Sequence, residues 1–426
     1  MKFLVAGANG FIGSAVVEAL LAHEHSVIAV GRSVTGKTSR PNLQWISQNL
    51  QTALTPADWL PLLDGIDGVI NCAGILRASS ANDFETVHIK APLALAKACH
   101  EKGIKRYIQL SALGEPEQGE FIASKHRFDQ QLLELMPSAT VLRPSVVTSL
   151  RGSYGGSSML RGLAAFPKVM LLPGKGEQAI QPILLEDLAE LMVEAATTES
   201  ISGVIEIGGP DTVSIKDYLT AVRGWLDIPT RGSINVPMGL INLSCTIGDK
   251  LKAGPLNKTI WTMLQQGNVL NDPAAQQQFK AQPRSVTTAF NQQASFVQDR
   301  WHAKLFLIQP LIWFLLTVIW FMSAAAGFCA EPEGFAPILS AVGFPQAWHF
   351  SLVMLTSVLD LVLGLMILVR YRENLTLWLM LLSTLGYSSL LGVMAPELWL
   401  DPLGGLLKNL AIVPLILVYM VMRQVR

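Results

Sequence analysis

The chain opens on an apolar run, Phe3-Leu4-Val5-Ala6, that passes directly into Gly7-Ala8-Asn9-Gly10-Phe11-Ile12-Gly13. This order predicts a strand, a glycine-rich turn and a helix beginning near Phe11. Short β-branched runs then alternate with helical stretches, and Ser26 to Val30, Gly68 to Asn71, Arg106 to Leu110 and Thr140 to Leu142 read as strands. Strand–helix alternation predicts an α/β domain, a doubly wound parallel Rossmann sheet with helices on both faces. From about Val146 to Ala289 the chain is more irregular and richer in Gly and Pro, with a strand-like run at Val204 to Ile207, which suits a smaller substrate lobe. The glutamine-rich stretch from Gln276 to Gln298 reads as a polar surface helix or a linker.

The pattern then changes character. Four apolar segments, approximately Leu305 to Ala326, Phe350 to Val369, Leu375 to Met394 and Leu406 to Met422, each approach the roughly 20 residues that span a bilayer. The expected division is a nucleotide-binding domain over 1–290, with the lobe at about 146–290, a linker over 291–304, and an all-α four-helix transmembrane domain over 305–426. Arg370, Arg372, Arg423 and Arg426 fall on one side of the four spans. Glu331, Glu333, Glu397 and Asp401 occupy the opposite loops, where Lys408 lies just inside the last span. The positive-inside rule therefore predicts a multi-pass protein of the inner, cytoplasmic membrane with its N-terminal domain in the cytoplasm. Trp301, Trp348, Trp378 and Trp399 sit where interfacial tryptophans belong.

Composition sharpens this picture in two ways. Half of the 426 residues are hydrophobic and 15% are charged, too few for an ordinary soluble protein, and the formal net charge is zero, which gives no support for a nucleic-acid partner. Cys72, Cys99, Cys245 and Cys329 lie far apart with no C-x-x-C spacing, which argues against a metal site or a disulfide framework and fits a reducing compartment. Glycines interrupt the first apolar run, so it reads as a strand and helix rather than as a signal peptide.

The glycine-rich turn carries the chemistry. Gly7 permits the tight turn, Gly10 lets the backbone approach a pyrophosphate, and Gly13 allows close helix–strand packing, while the free amides at the helix start face the phosphates. About twenty residues on, where a carboxylate would hold the ribose hydroxyls of NAD, the chain reads Val30-Gly31-Arg32-Ser33. An arginine there pairs with a 2′-phosphate, so the expected cofactor is NADP(H) in preference to NAD(H), with Lys37 and Arg40 as candidate helpers. In the membrane part, Asp360 falls mid-span, where a carboxylate needs an interior partner. Lys408, Tyr387 and His349 are the candidates.

Further landmarks are Asn71-Cys72-Ala73-Gly74, Ser111-Ala112, Phe121-Ile122-Ala123-Ser124-Lys125, Leu142-Arg143-Pro144-Ser145, Asp187 and Ile207-Gly208-Gly209-Pro210. As a set they resemble the extended and atypical short-chain dehydrogenase/reductase superfamily, nearest to the NAD(P)-binding subunit of respiratory complex I, over roughly residues 1 to 290. The resemblance implies Ser111 as the active-site serine and Lys125 as the lysine on the nicotinamide ribose. It implies cofactor contacts from Gly7, Asn9, Gly10, Phe11, Ile12, Gly13, Arg32, Cys72, Ala73, Gly74, Lys125 and Pro144.

One departure stands out: Phe121 occupies the tyrosine position of the family's Tyr-x-x-x-Lys, and a phenyl ring has no proton to give. His88 stands near the place of the family's asparagine. Lys125 or His126 is a candidate substitute proton donor, since relatives resembling isoflavone reductase work without the tyrosine. The last 120 residues, with Asp360 and Pro402-Leu403-Gly404-Gly405-Leu406-Leu407-Lys408-Asn409, resemble the DoxX-like membrane family, which is associated with quinone-linked redox complexes. The function expected is an oxidoreductase acting on a lipophilic substrate such as a quinone or lipid carbonyl. The alternative is a redox-inactive nucleotide-binding scaffold or sensor of a respiratory-type membrane complex.

Overall fold

A computed structural model of the chain describes residues 1–76, 83–250, 258–400 and 405–423. Asp401, Pro402 to Gly404 and Arg426, which figure in the sequence reading of the membrane part, lie outside the described residues. The chain divides into two units, Met1–Lys304 and a second beginning at Leu305.

The first unit is built on a seven-stranded parallel sheet. Its strands in chain order are β1 (Lys2–Ala6), β2 (Ser26–Gly31), β3 (Leu43–Ser47), β4 (Gly68–Asn71), β5 (Arg106–Leu110), β6 (Thr140–Pro144) and a seventh, Gly203–Ile207. In space the order is β3-β2-β1-β4-β5-β6 and then the seventh strand. The chain reverses direction across the sheet between β1 and β4, and the carboxyl ends of strands flanking such a switch point form the ligand crevice of doubly wound folds. β1 registers Ala6 against both Val30 of β2 and Asn71 of β4, so the glycine-rich turn, Arg32 and the Cys72 loop emerge side by side.

Helices α1 (Phe11–Ala22), α2 (Ala91–Glu101) and α3 (Glu120–Leu135) cover the sheet together with α5 (Leu185–Thr197), while α4 (Gly156–Ala164) and α6 (Ile215–Trp225) pack on each other and on the short strand Met170–Pro173. Central strands are buried on both faces and read as continuous apolar runs. One layer packs Phe3, Val5, Val16, Leu20 and Ala29 against Leu188 and Met192 of α5, and the other packs Leu4, Ile28, Val69, Tyr107 and Val141 against Leu95 and Phe128.

Two sequence readings change. The Val204 to Ile207 run, expected in the lobe, pairs in parallel with β6 and completes the main sheet. Its place in the irregular, Gly- and Pro-rich region pointed to the lobe, whereas it is the sheet edge, with Val204 exposed and Ile205 and Ile207 buried. The glutamine-rich stretch is stapled to the domain rather than linking it. Gln276 exchanges hydrogen bonds with both backbone groups of Gly208, Arg284 pairs with Asp187, and Phe279 and Phe290 are buried.

Among the described residues, the second unit contains four helices long and apolar enough to cross a membrane: Ile308–Phe328, Gln346–Leu368, Glu373–Met394 and Gly405–Met422. A further helix, Pro332–Ala341, lies between the first two. The first two spans approach closely, because a Cβ on Gly327 would collide with Ser357 Oγ. Asp360 finds its partner at this seam: Ser323 Oγ donates to Asp360 Oδ2 at 2.6 Å. The three residues expected to partner it do not make this bond, and His349 Nε2 instead lies 2.8 Å from the carbonyl of Phe344. Serine four residues before Gly327 on the facing helix was the missed signal, since small polar residues are the usual glue between membrane helices.

Candidate functional site

The site begins where β1 ends. Gly7 has φ of +74°, and a Cβ there would lie 2.8 Å from the backbone nitrogen of Ala73, so the turn presses against the loop leaving β4. The amide of Ala8 donates to Val30 O at 3.0 Å and that of Gly10 to Gly7 O at 2.9 Å, which folds the turn back on β2. Gly10 caps α1 with no side-chain bond, and the amide of Ser14 makes the first intrahelical bond, to Gly10 O. The amides of Phe11, Ile12 and Gly13 are therefore left without helical acceptors at the positive end of the helix dipole. A Cβ on Gly13 would stand 2.2 Å from Gly7 O, so only hydrogen fits. A turn with glycine at its tightest points, opening onto free amides at a switch point, has the shape and polarity that a dinucleotide diphosphate requires.

Asn9 Nδ2 donates to Ser33 O at 3.3 Å, which draws the segment after β2 toward the turn. Arg32 is exposed beside it, and its carbonyl accepts from Ser47 Oγ. Lys37, a candidate helper, lies over the Trp45 ring at 4.9 Å, and Arg40 forms an antiparallel bridge with Leu43.

The second wall is Asn71-Cys72-Ala73-Gly74. Asn71 Oδ1 accepts from the amide of Ala73, and Asn71 Nδ2 donates to Gln109 Oε1 on β5. Lys125 reaches across from α3 and donates to Ala73 O at 3.1 Å and Leu110 O at 2.9 Å. It thus ties the ends of β4 and β5 together and sits 3.0 Å from the position a Cβ of Gly74 would take. Burial pushes the Lys125 amine down to about 8, against the opposing pull of Asp129 and Cys72. The structure thereby brings Gly7 to Gly13, Cys72 to Gly74 and Lys125 into one region. Pro144 ends β6 and its carbonyl accepts from the amide of Leu113.

Ser111 faces elsewhere. Its Oγ donates to Asp129 Oδ2 at 2.7 Å, and Arg143 donates to the same oxygen through Nε and a terminal nitrogen at 3.1 and 3.0 Å. Burial raises the Asp129 carboxyl, while the bonds from Ser111 and Arg143 pull it back down. Asp129 had no place in the sequence reading, and Arg143 entered it only within the Leu142–Ser145 landmark, with no role of its own. Their signal was an aspartate one turn after Lys125 on a buried helix face and an arginine inside an apolar strand. His126, the other candidate proton donor, is held to the carbonyl of Ala112 at 3.0 Å.

Phe121 lies one turn before Lys125, buried with Ala112 and Ile122 and flanked by Leu76, Phe84 and Met263. Its ring meets His88 edge-on at 5.6 Å between centroids. His88 is in a π-helical turn, Glu85–Lys90, that leads into α2. The amide of Ile75 donates to its Nε2 at 3.0 Å, so the ring proton sits on Nδ1, 2.8 Å from Ser124 Oγ, which in turn donates to Glu120 O. This neutral imidazole bridges the β4 loop to α3, and burial holds its pKa down at about 2, with Lys125 adding to the effect. The unfolded chain takes up a proton near pH 6.5 that the folded His88 refuses, so folding stability drops as pH falls below that point, by about 1.4 kcal/mol per unit from this group. Between pH 6.5 and 5 the wild-type N-terminal unit is expected to lose roughly 2 kcal/mol more than His88→Gln does. Equal slopes in thermal unfolding of the two proteins across that range would refute the neutral bridge.

Residues 3–208 match the model of the NAD dependent epimerase/dehydratase family, and residues 317–417 match that of the DoxX-like family. Divinyl chlorophyllide a 8-vinyl-reductase of Cucumis sativus is 28% identical over 49% of this chain and 53% of that protein. An epimerase family protein of Mycobacterium leprae is 26% identical over 53% of this chain and 78% of its own length. The NADH-ubiquinone oxidoreductase 40 kDa subunit of Neurospora crassa is 24% identical over 46% of this chain and 49% of that subunit. The chain thus spans about half the length of the reductase and of the subunit. Among solved structures, MoeE5 in complex with UDP-glucose and NAD superposes with a TM-score of 0.51 at 18% identity, covering 68% of this chain and 96% of that one, which shows a shared fold.

Proposed function

We propose that this chain, an epimerase/dehydratase-type nucleotide domain joined to a DoxX-like helical domain, is a membrane-anchored oxidoreductase that uses NADP(H) on a lipophilic substrate such as a quinone or a lipid carbonyl. The observation that carries the reading is the glycine-rich turn with its free α1 amides, set opposite a buried lysine amine that burial pushes down to about 8. In this reading the amides of Phe11, Ile12 and Gly13 hold the diphosphate, and Arg32, where the NAD-type carboxylate is absent, pairs with the 2′-phosphate. A bound nicotinamide supplies hydride-transfer chemistry. Lys125 orients the ribose and, with an amine that is largely ammonium at neutral pH, holds the proton that the missing tyrosine would supply. Phe121 contributes no proton; it keeps water from the Lys125 side of the crevice. Anchorage in the bilayer gives access to an apolar substrate. Positive Arg370, Arg372 and Arg423 on one side of the spans and acidic Glu331, Glu333 and Glu397 on the other favour a cytoplasmic N-terminal unit in the inner membrane.

A second reading rests on Phe121 itself. With the phenol replaced by a ring packed on His88, the domain suits a redox-inactive nucleotide sensor or scaffold of a membrane complex. Incubating the full chain in lipid nanodiscs with NADPH and a panel of quinones and lipophilic aldehydes separates the two. Cofactor consumption by the wild type supports the oxidoreductase. Tight binding with no consumption by the wild type or by Phe121→Tyr overturns it in favour of the scaffold.

A further inference from the structure

The chain crosses from the first unit to the second within a helix, Val297–Phe306, whose two faces differ sharply. Asp299 and Ala303 are buried in the N-terminal unit, at 8% and 0% exposure. Asp299 closes the helix start by accepting from the amide of Phe296 at 2.9 Å, and it pairs with the buried Arg161 of α4 at 3.6 Å. The Arg161 guanidinium stacks on Trp225 of α6 at 4.6 Å and donates to the carbonyl of Ser149. The inner face is therefore locked to the lobe by a buried charge pair. Val297, Trp301 and Leu305, spaced by four residues and so aligned on one face, are 48%, 63% and 37% exposed, and Phe296 beside them is 59% exposed.

We infer that Val297–Phe306 is an interfacial helix that lays this apolar stripe into the lipid surface and docks the nucleotide domain on the membrane. Three features select lipid over another protein as the occupant. The helix ends two residues before the first apolar span begins at Ile308, so the stripe is covalently held at the bilayer edge. Its largest member is a tryptophan, the residue whose ring prefers the headgroup level. Lys304, exposed, stands beside the stripe as a cation for lipid phosphates, whereas Arg300 is paired with Asp227 at 3.4 Å. The inference rests on membrane anchorage and is independent of any redox activity.

The test uses the full chain in nanodiscs containing anionic lipid, with the exposed Cys329 and the partly exposed Cys72 replaced and a spin label placed in turn at Val297→Cys, Trp301→Cys, Leu305→Cys, the exposed Glu101→Cys of the nucleotide domain and, within the second span, Val358→Cys. Relaxation by oxygen reports lipid, and relaxation by a water-soluble nickel chelate reports water. The expected result is an oxygen-to-nickel ratio several-fold higher at 297, 301 and 305 than at 101, approaching that of 358. Labels at 297, 301 and 305 as nickel-accessible as 101, or shielded from both agents by protein, overturn the inference. If 358 is also nickel-accessible, membrane anchorage itself fails, so the two failures are distinguishable.

Discussion

Gly13→Ala is expected to abolish dinucleotide binding, raising the dissociation constant by at least about a hundredfold, the equivalent of roughly 3 kcal/mol. The added methyl would lie 2.2 Å from Gly7 O and 3.1 Å from Ala8 Cα, both backbone atoms of the turn. Relief requires α1 to slide away from β1 or the turn to open, and either movement takes the amides of Phe11 and Ile12 out of line. Gly10→Ala is the informative contrast. Its Cβ would be 3.1 Å from Gly7 O, a strain that small adjustments absorb, but it projects from the exposed lip of the turn where the diphosphate approaches. That variant should melt close to wild type and still bind weakly. Enhancement of NADPH fluorescence on binding, followed alongside thermal unfolding, reads both effects. Undiminished binding by Gly13→Ala would show that the turn does not hold the ligand.

Lys125→Met carries the second large effect. Two carbonyls, Ala73 O and Leu110 O, lose their donor, at a cost of about 1 to 3 kcal/mol each where they remain buried. Cofactor affinity falls because the β4 and β5 ends are no longer tied. If Lys125 also supplies the proton, turnover falls by about a hundred- to ten-thousandfold beyond the loss in binding. The pH profile isolates that part. The ammonium form prevails below its pKa of about 8, so wild-type turnover at saturating cofactor should decline as pH rises through 8, and the decline should be absent from the residual activity of Lys125→Met. A flat wild-type profile from pH 6 to 9 would remove Lys125 from proton transfer while leaving its role in tying the crevice.

Much of this was legible in the residues, for physical reasons that differ by region. The glycine-rich turn and the apolar strands of the sheet are dictated by local sterics and by burial on both faces, so their pattern survives translation into structure. The four spans are legible because a bilayer demands length and apolarity alone. What was hidden depended on pairing across the fold. Ser323 against Asp360, Asp129 against Ser111 and Arg143, and His88 between Ile75 and Ser124 join residues 13 to 37 positions apart by one or two hydrogen bonds that no periodicity announces. The Gly203–Ile207 strand was misplaced because about 60 residues of chain separate it from β6, the strand it pairs with. Val297–Phe306 read as part of a linker since its apolar stripe is short and interrupted by charge, and only the burial of Asp299 and Ala303 shows which face is which.

The central claim is that the amino-terminal turn binds a pyridine dinucleotide, with Arg32 favouring the 2′-phosphate. Calorimetric titration of the full chain with NADPH and with NADH tests it directly. The account predicts saturable heat with both and tighter binding of NADPH, a preference lost in Arg32→Glu. Absence of heat with either coenzyme, in oxidised or reduced form, would contradict it.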